Sequence, residues 1–278
     1  MNKTLNLGGR LLSLEVPRVM GILNITPDSF YDGGRYLNEK DILHHAQKML
    51  VEGATFLDIG GYSSRPGADD IPQEEELRRI RPAIRAIIRE FPDTLIAIDT
   101  FRAEVATAAV GEGAVMVNDI SSGSLDPALP QAVARLGVPI IAMHMRGTPK
   151  TMNTLTTYDH LLKDIVSYFH EKIHGFHGLG IRDIIIDPGF GFAKTVGHNF
   201  TLLDQLETLR ILGKPIMVGL SRKSTIWRTL QTTAEHALNG TTCLNTIALL
   251  RGASILRVHD VREAVETITL VSTMQSSR

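Results

Sequence analysis

The sequence predicts a (β/α)8 barrel preceded by a short N-terminal hairpin, and three observations carry that prediction. Short apolar runs alternate with long amphipathic stretches along the chain. About eight such strand-then-helix units fit its length, the number that closes a barrel. Polar residues stand at the end of nearly every apolar run, where barrel strands converge on one mouth. Alternation of strand and helix implies parallel strands joined by crossover helices. A doubly wound open sheet is the alternative arrangement of the same elements.

The hairpin comes first: Leu5 and Leu7, the turn pair Gly8-Gly9, then Leu11, Leu12 and Leu14. Strands are predicted at residues 19–23, 55–59, 95–99, 115–119, 139–143, 184–187, 216–220 and 254–258. Helices are predicted at 41–52, 74–91, 102–112, 127–136, 159–178, 200–212, 235–251 and 261–272. Two strand-to-helix connections, 24–38 and 60–73, are too long to be mere links, and 144–158 is a third. Long loops on that face bind or cover ligands. No composition shift marks a boundary, so residues 1–278 are expected to form a single domain.

Composition excludes several function classes. A formal net charge of −1 gives no global attraction to nucleic acid or anionic membrane. One cysteine, Cys243, rules out an intramolecular disulfide framework and fits a reducing compartment. Residues 1–15 lack the apolar core of a signal peptide, and no run approaches the roughly 20 apolar residues of a membrane span. A cytoplasmic globular protein is expected.

The most informative stretch is 184–194: three isoleucines, then Asp187-Pro188-Gly189-Phe190-Gly191-Phe192-Ala193-Lys194. It ends a buried strand on a carboxylate, which burial makes costly without donors to pair it. The alternate glycines let backbone approach a flat ligand. The other strand ends carry Asn24, Asp58, Asp99, Asn118 with Asp119, His144, Ser221-Arg222-Lys223 and Arg257-Val258-His259. Asp99, Asn118 and Asp187 are acceptors suited to a donor-rich heterocycle, whereas Lys223, Arg257 and His259 suit phosphate oxygens. Arg257 and His259 alternate and can face one side. Asn24 is a neutral oxygen ligand suited to a Mg²⁺ that keeps its waters and bridges a diphosphate.

Other features take a plainer reading. Asp58 and Asp119 are as readily structural, bonding turn amides, as functional. His170, His174 and His177 recur on one helix face with no carboxylate triad beside them, and read as a solvated face. Met143 and Met145 read as packing, with Met143 able to line a ring pocket. The glycine-rich pieces match neither a P-loop nor a dinucleotide fingerprint.

Taken in order, these motifs resemble the dihydropteroate synthases. The resemblance runs from Met20-Gly21-Ile22-Leu23-Asn24-Ile25-Thr26-Pro27-Asp28-Ser29-Phe30 to Arg257-Val258-His259-Asp260-Val261. Between lie Asp58-Ile59-Gly60-Gly61, Ser64-Arg65-Pro66-Gly67, Asp99-Thr100, Val117-Asn118-Asp119-Ile120, Met143-His144-Met145, the Asp187 stretch and Ser221-Arg222-Lys223. The resemblance implies a TIM barrel, usually dimeric, so a homodimer is expected. It implies condensation of 6-hydroxymethyl-7,8-dihydropterin diphosphate with p-aminobenzoate, giving 7,8-dihydropteroate and pyrophosphate with Mg²⁺. Carried over by motif, Asp99, Asn118, Ile120, Met143, Asp187, Phe192, Gly219 and Lys223 would bind the pterin. Asn24, Arg257 and His259 would hold the diphosphate, with Asn24 on the metal. Phe30, Ser64, Arg65, Pro66, Lys223 and Ser224 would shape the p-aminobenzoate subsite. Asp99, Lys223 and Arg257 would serve the chemical step.

The chain departs from the family at Tyr62, where Glu is common, and at Ser64, where Thr is frequent. Two other readings share the barrel. A pterin-binding methyltransferase domain would not need Lys223 with Arg257 and His259, and a non-enzymatic pterin-binding barrel would lack a catalytic group.

Overall fold

A computed structural model describes residues 4–26, 39–63 and 70–277. It opens on the hairpin, β1 (Thr4–Leu7) antiparallel to β2 (Arg10–Ser13), turning at Gly8 and Gly9. The alternation follows: β3 (Arg18–Asn24), α1 (Glu39–Val51), β4 (Phe56–Gly60), α2 (Gln73–Glu90), β5 (Leu95–Asp99), α3 (Ala103–Gly111). Next come β6 (Met116–Asp119), α4 (Leu129–Leu136), β7 (Ile140–Met143), α5 (Leu161–Gly178), β8 (Ile184–Asp187) and α6 (Val196–Asp204). The chain closes with β9 (Met217–Val218), α7 (Ser224–Thr229), α8 (Leu238–Leu250), β10 (Ile255–Val258) and α9 (Val261–Ser276).

Strands β3 to β10 form one parallel sheet in the order β8-β7-β6-β5-β4-β3-β10-β9. A parallel bridge between Ile186 and Ile216 brings its two edges together, so the sheet is a nearly closed barrel and not an open one. Each predicted strand is present. The 216–220 strand is shorter than expected, with Gly219 and Leu220 already leaving the sheet. The helix predicted over 200–212 is split into α6 and a 3-10 segment, Leu206–Leu212, and the short α7 was not foreseen.

Strand periodicity decides what the barrel holds. Successive side chains point to opposite faces. One parity, including Leu23, Ile59, Ile98, Val117, Ile186 and Val258, packs outward under the helices. The other parity puts Met20, Phe56, Ala97, Met116, Ile141 and Ile185 inside, in one cluster with Leu5, Leu7 and Leu14 of the hairpin. The hairpin therefore stoppers the N-terminal end of the barrel with apolar side chains. No helix among the described residues is long and apolar enough to cross a membrane.

Candidate active site

The inward parity continues upward into the polar residues. Two positions above Ile22 stands Asn24, two above Phe56 stands Asp58, and two above Ala97 stands Asp99. Likewise Met116, Ile141, Ile185 and Ile255 are followed at the same spacing by Asn118, Met143, Asp187 and Arg257. Register pairing sets Asp99 beside Asn118 and Met143 beside Asp187. The predicted pterin, diphosphate and metal residues on strands thus form one inward crown at the C-terminal mouth.

Arg257 lies at its centre. Its Nε donates to Asp58 Oδ2 at 2.6 Å, and Nη2 donates to Asp99 Oδ2 at 2.7 Å. Asn118 Nδ2 also donates to Asp58 Oδ2, at 3.0 Å, which turns the Asn118 amide. Asp58, fully buried, is therefore a strut for two neighbours, and its Oδ1 has no hydrogen-bond partner among the described residues. Two carboxylates share one guanidinium. Burial, aided by the carboxylates of Asp58, Glu76 and Asp119 and opposed by Arg257, pushes Asp99 up to about 7.

Across the pocket, Asp187 is 5 % exposed, and its Oδ1 accepts the Gly189 N–H at 2.8 Å. Burial raises its carboxyl above the usual range, against the Lys223 ammonium and the Gly189 N–H. Lys223 is pulled down to about 8 by burial, with Asp187 restoring part of its charge. Its Nζ donates to Phe190 O and stands 4.8 Å from the Phe192 ring centroid. Gly219 lies against the same ammonium: a Cβ there would stand 3.8 Å from Nζ. Ile120, Met143 and Phe192 pack in one apolar cluster, a surface for one face of a flat ring.

The remaining predictions divide. His259 Nδ1 meets Ser221 Oγ at 3.0 Å, at the rim beyond Arg257. Ser224 opens α7 next to Lys223. Arg222 leaves the site: it has φ +55° and pairs with Asp260 through two bonds, at 2.9 and 2.7 Å. Asp119 is structural, accepting Ser121 N–H at 2.8 Å and Gly123 N–H at 2.5 Å. His170, His174 and His177 are exposed, as a solvated face should be. Phe30, Ser64, Arg65 and Pro66 lie outside the described residues. At the described start of their loop, Tyr62 sets its ring edge-on to Phe101, 5.2 Å between centroids, with the Arg102 guanidinium 5.5 Å from it.

Asp99 and Asp187 face the mouth together with Lys223 and Arg257, and Asp58 is buried behind them as a strut. The acceptors of Asp187, Asp99 and Asn118 suit a ring rich in N–H groups. The comparisons agree with this chemistry. A family profile described as pterin binding enzyme matches residues 20–259. The dihydropteroate synthase of Escherichia coli (strain K12) is 42 % identical over 272 residues, covering 97 % of this chain and 96 % of its own. Among solved structures, the Yersinia pestis dihydropteroate synthase in a sulfonamide drug complex superimposes with a TM-score of 0.92 at 42 % identity, covering 98 % of this chain and 99 % of its own. The Xanthomonas albilineans dihydropteroate synthase with 4-aminobenzoic acid gives 0.92 at 40 % identity, covering 99 % of each chain. A barrel with this inward crown, matched along nearly its whole length, belongs to the dihydropteroate synthase family, the pterin-binding transferases of folate biosynthesis.

Proposed function

We propose that this chain, acting as one barrel domain over residues 1–278, joins 6-hydroxymethyl-7,8-dihydropterin diphosphate to p-aminobenzoate and releases pyrophosphate. The observation that carries the assignment of roles is the inward crown, which sets Asp187, Asn118 and Asp99 on the same mouth as Lys223 and Arg257. Asp187 accepts from the pterin 2-amino group and N3–H, Asn118 and Asp99 complete the edge, and Ile120, Met143 and Phe192 flank the ring. Lys223 donates to the carbonyl and N5 side. Arg257 and His259 receive the diphosphate oxygens.

Chemistry follows from charge. The bond between the pterin CH2 and the diphosphate oxygen breaks, leaving positive charge on the pterin and negative charge on pyrophosphate. Fixed dipoles and charges lower such a barrier most when already aimed at the charge that develops. Asp99 opposes the cation and Arg257 the anion. The neutral arylamine nitrogen then attacks the CH2, and the acidic proton of the resulting arylammonium passes to the released pyrophosphate, so no strong base is required. Phe30, Ser64, Arg65 and Pro66, with Lys223 and Ser224, shape the p-aminobenzoate subsite and keep water from the cation.

The donor set among the described residues suits Mg²⁺ as a hydrated ion. No group of three or more His, Cys, Asp or Glu side chains among the described residues could cage a metal. Asn24 is a single neutral oxygen donor at the mouth, its Oδ1 3.5 Å from where a Gly60 Cβ would stand. That suits a hydrated ion arriving with the diphosphate, and bound Mg²⁺ would supply charge neutralisation to the leaving group. A cytoplasmic homodimer completes the reading. Exposed apolar side chains on α8 (Ile247, Leu250) and α9 (Leu270, Met274) support a covered face.

The test is turnover. Purified protein mixed with the pterin diphosphate, p-aminobenzoate and Mg²⁺ should release pyrophosphate and form dihydropteroate in equal amounts. Retained pterin without pyrophosphate release would overturn the catalytic reading in favour of a binding barrel.

A further inference from the structure

A second lysine stands behind the pocket wall, and no step above uses it. Lys194 is 8 % exposed, and its Nζ meets three acceptors at 3.0 Å: Gly189 O, Phe192 O and His144 Nδ1. An ammonium has three N–H donors, so the set is complete. Burial works against that charge and pulls Lys194 down to about 7, while the nearby Asp187 carboxylate favours it. His144 is the right third partner. Burial, with the Lys194 and Arg146 charges, drives it down to about 2, so the ring is neutral and Nδ1 offers a lone pair.

The acceptors all belong to the pterin wall. Gly189 and Phe192 bracket the turn that follows Asp187, and His144 follows β7 next to it. Gly189 has φ +70°, and a Cβ there would stand 2.1 Å from His144 O, so the turn lies flush on the end of β7. Of the two carbonyls between those acceptors, Phe190 O is taken by Lys223. Tyr158 adds a bond to Ala193 O at 2.9 Å. The same turn supplies the Gly189 N–H that orients Asp187 Oδ1.

We propose that Lys194 is a positioning residue for the pterin subsite. Through Gly189 O, Phe192 O and neutral His144 it fixes the turn that aims the Asp187 carboxylate and sets the Phe192 ring. It touches no substrate. The inference rests on the pterin reading above, and the experiment separates the two. The substitution Lys194→Met keeps the aliphatic stem and removes the donors, whereas Lys194→Arg keeps charge and donors.

Pterin diphosphate affinity is measured by titration calorimetry, KM for each substrate by pyrophosphate release, and folding by thermal melt. The expected result for Lys194→Met is a rise of about tenfold or more in the pterin Kd and KM, as befits lost charge-assisted bonds. The p-aminobenzoate KM should stay within about twofold. Lys194→Arg should recover most of the pterin affinity. A merely structural lysine would instead lower the melting temperature and kcat together and leave both KM values in place, and that result overturns the proposal. Should Lys194→Met fail to fold, His144→Phe removes one acceptor alone and must still raise the pterin KM selectively; an equal change for both substrates overturns the proposal. Wild-type protein that binds no pterin rejects the functional reading itself. Wild-type and Lys194→Met proteins of equal pterin affinity reject this inference only.

Discussion

Asp187→Ala is expected to abolish measurable pterin binding. The carboxylate is the acidic end of β8, nearly buried, with one oxygen already turned by the Gly189 N–H. In the proposed pose a bound pterin presents two N–H donors to it, and in the variant both would face an alanine methyl. Hydrogen bonds to a charged partner contribute about 1.5–3 kcal/mol each, so two together reach about 3–6 kcal/mol. Affinity should fall by two to four orders of magnitude, since about 1.4 kcal/mol is tenfold. Lys223 compounds the loss, because Asp187 is the neighbour that supports its charge against burial. Calorimetric titration with the pterin diphosphate reads the effect directly. Wild-type affinity in this variant would show that the ring is held by another edge of the pocket.

Arg257→Met should cost stability first and catalysis second. It strands Asp58, with no exposed side-chain surface, and Asp99, with 16 %, without the guanidinium they share. Breaking a buried pair by removing one partner costs about 3–5 kcal/mol. In a chain of this size, each kcal/mol moves the midpoint by about 2–4 °C, which gives a fall of roughly 10 °C at pH 8. The pH dependence has a definite sign. Asp99 is already raised in the folded state, to about 7, so it holds its proton more tightly folded than unfolded. Its favourable contribution is present at low pH and is lost as pH rises through the folded value. Without Arg257 the carboxyl rises further, so the deficit should be small near pH 5 and widen through pH 7 and 8. Scanning calorimetry across that range tests it, with Asp99→Asn added to the same variant expected to recover part of the loss. A deficit independent of pH would separate Asp99 from the effect.

Much of this site is visible in the sequence because strand parity is. Met20-Gly21-Ile22-Leu23-Asn24 already alternates the inward residues with the outward ones, and the same phase puts Asp99, Asn118 and Asp187 inside. The Gly8-Gly9 turn between leucines likewise announces the hairpin. What stays hidden is pairing at a distance. Arg257 and Asp58 are 199 residues apart, and only barrel closure makes the second the partner of the first. Asp58 therefore reads from the chain as an ordinary turn carboxylate. Local conformation hides other outcomes: Arg222 and Lys223 are adjacent cations, yet a left-handed φ at Arg222 sends it to Asp260 while Lys223 enters the pocket. Lys194 closes the Asp187 stretch with no role legible in the chain, and only the fold brings its three acceptors to it.

The two edges that complete the barrel are its thinnest joint. β3 and β4 share five register pairs, whereas β8 and β9 meet among the described residues through one bridge at Ile186 and Ile216. Asp187 stands directly past one side of that seam, and Lys223 past the other. In the proposed pose, a pterin donating to the first and accepting from the second would be a rivet driven across the gap. Ligand occupancy and integrity of the cylinder then become one equilibrium, readable in the exchange of the Ile186 amide hydrogen, which bonds Pro215 O at 3.0 Å.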